Sequence, residues 1–286
     1  MRIQFKYAFL LFILFIACAK TETEDLPEDE EIIGHTNPKK GFCITTNNLL
    51  WYKKIEDLYA SWHYSWNYEL HAQEPEGVEF VPMIWGAWAD TAKVQAKIDY
   101  IKNLKAEGKA KFMLGFNEPD KTDQANMSVE GALAYWPKLE AVGLPLGSPA
   151  CANPTGEWMQ TFMEEAANRN LRIDFICVHW YGGVSVPGFL SRLQEIHELY
   201  NKPVWITEFA PADWNASTPA ESKHTKAEIL SFMKEVLPAL DDLDYVERYA
   251  WFSAKESSGP LGNAALFNDS NQLTTLGEFY ASFGGK

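Results

Sequence analysis

The stretch AKFMLGFNEPD, residues 110–120, decides the fold. Ala110 to Phe116 is a short apolar run of the kind that forms a buried strand, and it ends in Asn117-Glu118-Pro119. A carboxylate at the mouth of an apolar sheet is costly to bury without a partner or a task. A second run, PVWITEFAP (203–211), repeats the pattern and ends in Glu208.

Outward from these two runs, short apolar strands alternate with amphipathic helices. GFCITT (41–46), ASWHYSWN (60–67), EFVPMIWG (79–86), LPLGSPACA (144–152), RIDFICVHWYGG (172–183) and YVERYAWFSA (245–254) complete the strand set. DTAKVQAKIDYIKNLKAEG (90–108) repeats apolar residues at Val94, Ile98, Ile101 and Leu104, which is helix spacing. Asp90 and Gly108 are its expected caps, and Ser128 is the expected cap of the helix over 128–143. The count is about eight strand–helix units, the helix after the second strand being weak. Alternation favours a parallel sheet, and eight units in 286 residues favour an α/β chain closed as a single (β/α)8 TIM barrel. In that architecture Glu118 ends the fourth strand and Glu208 the seventh. Both then face one cleft at the C-terminal mouth, and two carboxylates across a scissile bond are what glycoside hydrolysis requires.

The N-terminus is an address. MRIQFKYAFLLFILFIAC carries Arg2 and Lys6, then an apolar run from Tyr7 to Ala17, then Cys18. The run is too short to span a bilayer and fits a signal-peptide core. It resembles a bacterial lipobox, with Phe15 where Leu is usual. That resemblance implies cleavage before Cys18, lipidation of Cys18, and anchoring of the protein at the cell envelope, at the outer membrane, facing the periplasm or the cell surface. The domains expected are a signal peptide (1–17), a lipid-anchored acidic tether (18–39) and a catalytic barrel (40–286). The tether holds seven of the 39 acidic residues in TETEDLPEDEE and has no apolar periodicity.

Net charge is −14, and no Lys/Arg cluster is present to grip phosphate, so no nucleic-acid partner is expected. Without GxGxxG or Cys-x-x-Cys, neither a dinucleotide nor a structural zinc is implied, and no cofactor is expected. A metal at His179 and Glu208 lacks a third ligand, so none is assigned. Cys43, Cys151 and Cys177 lie in apolar runs and read as small core residues, with a Cys151–Cys177 bridge as the alternative. The chain is expected to act as a monomer.

The ordered set SWHYSWN, PMIWG, GFNEPD, VHWYGG, WITEFA and AWF resembles glycoside hydrolase family 128 of clan A over residues 40–284. The resemblance implies a (β/α)8 barrel, β-1,3-glucan as substrate and partner, and retaining endo-hydrolysis. It implies Glu118 as acid/base, Glu208 as nucleophile, and Asn117 as donor to the sugar 2-hydroxyl. Alternation along the sixth strand points His179 and Tyr181 inward with Cys177, within reach of the sugar or of Glu208. Trp62, Tyr64 and Trp66 share one face of the second strand and are expected to form a stacking wall, with core packing the equal alternative for Trp62. Trp85 and Trp251 are expected as platforms beside the reacting sugar, with Trp88 and Trp214 extending the cleft. Asp120 reads as a local cap and Asp213 as a solvated loop charge. Two further functions remain: a non-catalytic β-glucan-binding surface lipoprotein, and a retaining glycosidase for another β-linkage.

Overall fold

The computed structural model describes residues 37–88 and 91–284. The signal segment, Cys18, most of the tether and Asp90 lie outside the described residues. Among the described residues no helix is long and apolar enough to cross a membrane. The strands are β1 (Lys40–Cys43), β2 (Trp62–Tyr64), β3 (Glu79–Phe80), β4 (Ile176–Trp180), β5 (Val204–Phe209) and β6 (Val246–Phe252). The helices are α1 (Trp51–Asp57), α2 (Thr91–Ala106), α3 (Val129–Glu140), α4 (Glu157–Asn168), α5 (Val186–Tyr200), α6 (Lys226–Asp242) and α7 (Thr275–Ser282).

The six strands form one parallel sheet in the order β3-β2-β1-β6-β5-β4. The two remaining runs of the sequence count, at 112–117 and 145–150, are not ladders. They make isolated parallel bridges, Met83↔Leu114, Met113↔Leu146, Gly147↔Phe175 and Asn117↔Ala150, and these lead from the end of β3 back to the start of β4. The reason is local. Pro82, Pro145 and Pro149 have no N–H to give to a ladder, so only alternate groups pair. Leu114 N donates to Pro82 O at 2.9 Å and Met113 N to Pro145 O at 3.0 Å.

A second departure is the missing helix after β2. Residues 65–78 are bends and turns, because Pro75 and a positive-φ Gly77 interrupt a segment with no helical apolar spacing. Elsewhere the expected signals act as read. Ser128 caps α3 by accepting from Gly131 N, and Gly108 ends the turn after α2 at φ +72°. The barrel also takes in residues before 40. Asn37 is buried and donates to Asp241 and Tyr249.

Lys39 and Lys40 fasten the ends of two helices. Successive residues of an extended chain point opposite ways. Lys39 Nζ donates to carbonyls at the end of α6, including Asp241 O at 2.8 Å and Leu243 O at 3.0 Å. Lys40 Nζ, fully buried, donates to Tyr280 O, Ala281 O and Phe283 O at the end of α7. Each satisfies carbonyls that a helix end leaves without partners.

The barrel interior is a separate apolar cluster that includes Trp62, Tyr64, Met83, Leu114, Cys177 and Trp205. Burying side chains of this size stabilises by roughly 1.5–3 kcal/mol each. Below it, the Arg248 guanidinium lies over Trp205, Phe112 and Trp62 at 4.3, 4.6 and 5.5 Å from the ring centroids, and pairs with Glu79 through both nitrogens at 3.1 Å. Cys43, Cys151 and Cys177 are buried free thiols.

Candidate active site

Glu118 follows the bridging segment 112–117 with its N–H bonded to Ala150 O at 2.7 Å and its backbone at φ +41°. A non-glycine residue in that left-handed region is strained, and such strain gathers at functional sites. Glu208 reaches the same place by a different device. Val178 pairs with Ile206 and His179 with Glu208, so Thr207 is an extra residue on β5. This bulge resets the alternation. Trp205 points into the barrel, and without the bulge Glu208 would point out.

Both carboxylates line one cavity of about 640 Å³ with Asn117, His179, Tyr181 and Trp85. Glu208 is 5 % exposed and Glu118 8 %. Glu208 Oε1 accepts from Tyr64 Oη at 3.0 Å and from Trp66 Nε1 at 2.7 Å, and Tyr181 Oη donates to Oε2. Burial, then the charge of Glu208, holds both tyrosines well above the usual phenol pKa, so they stay donors. Glu118 has a different shell. His179 Nδ1 lies 3.0 Å from its Oε1 and Lys121 Nζ 3.7 Å from its Oε2. The His179 Nε2 lies 3.3 Å from Glu208 Oε1 but makes no aligned hydrogen bond. Among the described residues no arginine pairs with either carboxylate.

Burial would push the Glu118 carboxyl up, but the hydrogen bond and charge of His179, with Lys121, outweigh it and leave its pKa below the usual glutamate value. Burial would push His179 down, but the charge of Glu208 and then Glu118 outweigh that and hold its pKa above the ordinary imidazole value. The two directions place the proton of the Glu118–His179 pair on the imidazole.

A metal ion has more ligands here than the sequence suggested. Glu118 supplies a third donor, and one ligand atom from each of Glu118, His179 and Glu208 lies within 4.8 Å of the others. The donor shells oppose sharing. Both oxygens of Glu208 already accept hydrogen bonds, and the two His179 nitrogens face different carboxylates.

The aromatic expectations divide. Trp85 lines the cavity, as do Trp66, past the end of β2 at φ +55°, and Trp214, which is 62 % exposed. Trp62, Tyr64 and Trp66 form a column of rings, Trp62–Tyr64 stacked at 6.3 Å and Tyr64–Trp66 edge-on at 5.3 Å. Only its top reaches the cleft. Tyr64 acts through Glu208, and Trp62 is core, with Nε1 bound to Lys39 O. Trp251 is also misassigned. Alternation on β6 sends Ala250 and Phe252 inward and Trp251 outward, where it is fully buried against Phe209 and Tyr280 and donates to Ala264 O. Phe252, which lines the cavity, is the residue that alternation from Ala250 could have found. Trp88 packs on Trp85 at 5.6 Å and donates to Ala125 O.

Asn117 is 4 % exposed. Its Nδ2 donates to Gln124 at 3.4 Å, which leaves that amide a second N–H, and its Oδ1 has no partner. Lys121 and Gln124 line the cavity and were not singled out in the sequence, since nothing distinguishes them from loop residues. Asp120 does cap locally, accepting from Ala152 N and Asn153 N. Asp213 is not a solvated charge: it is 5 % exposed and accepts from Lys223 N and Asn215 N, contacts that hold its carboxyl below the usual range.

The glycosyl hydrolase catalytic core family matches residues 41–280. A GH128 subgroup I endo-β-1,3-glucanase from Amycolatopsis mediterranei, solved with laminarihexaose, is 35 % identical at a TM-score of 0.72 and covers 86 % of this chain and 99 % of that one. A subgroup II endo-β-1,3-glucanase from Sorangium cellulosum is 29 % identical at a TM-score of 0.68, covering 85 % and 98 %. A curdlan-specific exo-β-1,3-glucanase of subgroup III from Blastomyces gilchristii, solved with glucose, is 34 % identical at a TM-score of 0.64, covering 86 % and 100 %. Alkali-sensitive linkage protein 1 of Schizosaccharomyces pombe is 37 % identical over 183 residues, 59 % of this chain and 32 % of that protein. The chain thus spans about a third of that relative's length. With the parallel α/β fold and two carboxylates on one cavity, these likenesses lead to one assignment: the chain is a glycoside hydrolase belonging to family 128.

Proposed function

We propose that the protein is an endo-β-1,3-glucanase that works by retaining double displacement. The observation that carries the mechanism is the short separation between the acids, with an oxygen of each within 4.8 Å. Retaining enzymes hold their carboxyl groups about 5–5.5 Å apart, while inverting enzymes leave about 6.5–9.5 Å for a water. The solved relatives that bind laminari-oligosaccharides support the substrate.

Glu208 is the nucleophile. Its three donors orient the carboxylate, and it attacks the anomeric carbon to form a glycosyl ester. Glu118 is the acid/base. It gives a proton to the departing oxygen, drawing on the proton it shares with His179 across 3.0 Å, and later takes one from the attacking water. Asn117 Oδ1, left without a partner, accepts from a sugar hydroxyl. Trp85, Trp214 and Phe252 supply apolar faces for the rings.

The test is product analysis on linear β-1,3-, β-1,4- and mixed-linkage glucans, with the anomer of the first-formed product read by NMR. β-anomeric oligosaccharides of several lengths from β-1,3-glucan alone are expected. An α-anomer refutes retention, and binding without release of reducing ends refutes the enzyme in favour of a glucan-binding protein. Glu208→Gln is expected to abolish turnover with melting unchanged, and unchanged activity refutes its role. The lipobox-like segment supports anchoring through Cys18, so Cys18→Ala is expected to move the protein from the membrane to the soluble fraction. Retention in the membrane refutes it.

A further inference from the structure

Beside the catalytic cleft lies a second cavity of about 220 Å³, formed where the loops after β1 and β6 meet the loop before α7. Thr45 lines both cavities, so the two are neighbours. Its depth is apolar, with Phe42, Leu266 and Phe267 almost wholly buried. Polar groups stand round this floor. Lys54 Nζ sits 4.8 Å above the Phe267 ring with no carboxylate paired to it among the described residues. Asn48 Nδ2 donates to Asn271 Oδ1 at 3.0 Å, which ties the loop after β1 to the loop before α7 and leaves Asn271 Nδ2 as a donor.

An apolar floor ringed by amides, two hydroxyls, two lysines and the carboxylates of Glu256 and Asp269 matches a pyranose, which has apolar C–H faces and a rim of hydroxyls. The volume admits one ring. The Asn48–Asn271 bond joins two of its walls. We propose that this cavity receives a single hexopyranosyl substituent carried on the glucan that lies in the cleft, making the enzyme one for branched rather than strictly linear β-1,3-glucan. The proposal rests on the glucanase reading above. A ring attached through a primary hydroxyl has the extra bond needed to turn out of the main-chain path into such a side pocket.

The test compares a linear β-1,3-glucohexaose with the same chain bearing β-1,6-linked glucose at a single position, in a set covering each position. Wild type is expected to cleave the best branched isomer at least as efficiently as the linear chain. Ala254→Phe fills the cavity, and Lys54→Met removes the ammonium while keeping its stem. Neither residue lines the catalytic cleft. Each is expected to hold kcat/KM on the linear substrate within about twofold and to lose about tenfold or more on the branched one, the usual range for a lost pocket contact. The proposal is overturned if wild type rejects every branched isomer while cleaving the linear chain, or if Lys54→Met, with melting unchanged, leaves the ratio of the two substrates as in wild type. Should wild type cleave neither substrate, the glucanase reading fails by itself. The cavity is then read by calorimetry: tighter binding of a branched isomer upholds it, and equal affinity overturns it.

Discussion

Lys40 offers the most quantitative test of the structure. Its ammonium is fully buried and held by three carbonyls of the α7 end at 3.0, 3.3 and 2.6 Å. Burial, partly offset by the charge of Asp241, lowers its pKa from 10.5 to about 8. Between these two values the unfolded chain binds a proton that the folded chain does not, so stability rises with pH through that window. The difference from 10.5 to about 8, at 1.36 kcal/mol per unit, amounts to about 3 kcal/mol. The charged lysine therefore weakens the fold below pH 8, and the penalty is fully lifted only above 10.5. Lys40→Met removes the titration. Urea unfolding of wild type and variant, from pH 7 upward through the window, isolates it, because the other titrating groups cancel in the difference. Wild type is expected to gain about 3 kcal/mol on the variant across the series. A difference flat to within about 0.5 kcal/mol, the scatter expected of independent sites, would refute the claim that this lysine is charged and desolvated.

Trp66→Phe keeps a ring in place but deletes the 2.7 Å bond to Glu208. A hydrogen bond to a charged group contributes about 1.5–3 kcal/mol, so kcat/KM on linear β-1,3-glucan is expected to fall by about ten- to a hundredfold; a change within about twofold would remove Trp66 from the orienting shell. His179→Gln acts on pH dependence. In wild type the Glu118–His179 pair keeps its proton up to the raised imidazole pKa, whereas in the variant Glu118 alone sets the alkaline limb. That limb is expected to move to lower pH, and a limb that stays put shows that the imidazole does not hold the proton.

Much of the site was legible because Glu118 and Glu208 both close apolar runs, and strand ends meet at a barrel mouth. His179 and Tyr181 followed from alternation with Cys177, since β4 is regular where it counts. Trp251 failed by the same rule, because its inward neighbours on β6 are Ala250 and Phe252 and a tryptophan drew attention that its parity did not support. Trp62 turned on depth: alternation places a ring inside the barrel but does not tell how far below the rim it lies, so wall and core stayed open for it. The two bridging segments looked like strands because hydrophobicity reports burial, while prolines in them and beside them decide whether a ladder forms. The bulge at Thr207 is invisible in PVWITEFAP, yet it turns Glu208 inward. Register shifts of this kind arise from pairing with neighbouring strands, which a single run of residues does not encode.

The stack of Arg248 between Trp205, Phe112 and Trp62 stoppers the base of the barrel. A polysaccharide held at the mouth therefore has no tunnel to thread and comes in over the rim. Both fragments then leave by the doorway through which the polymer came, and whichever loosens first sets whether the enzyme strikes again nearby or lets go.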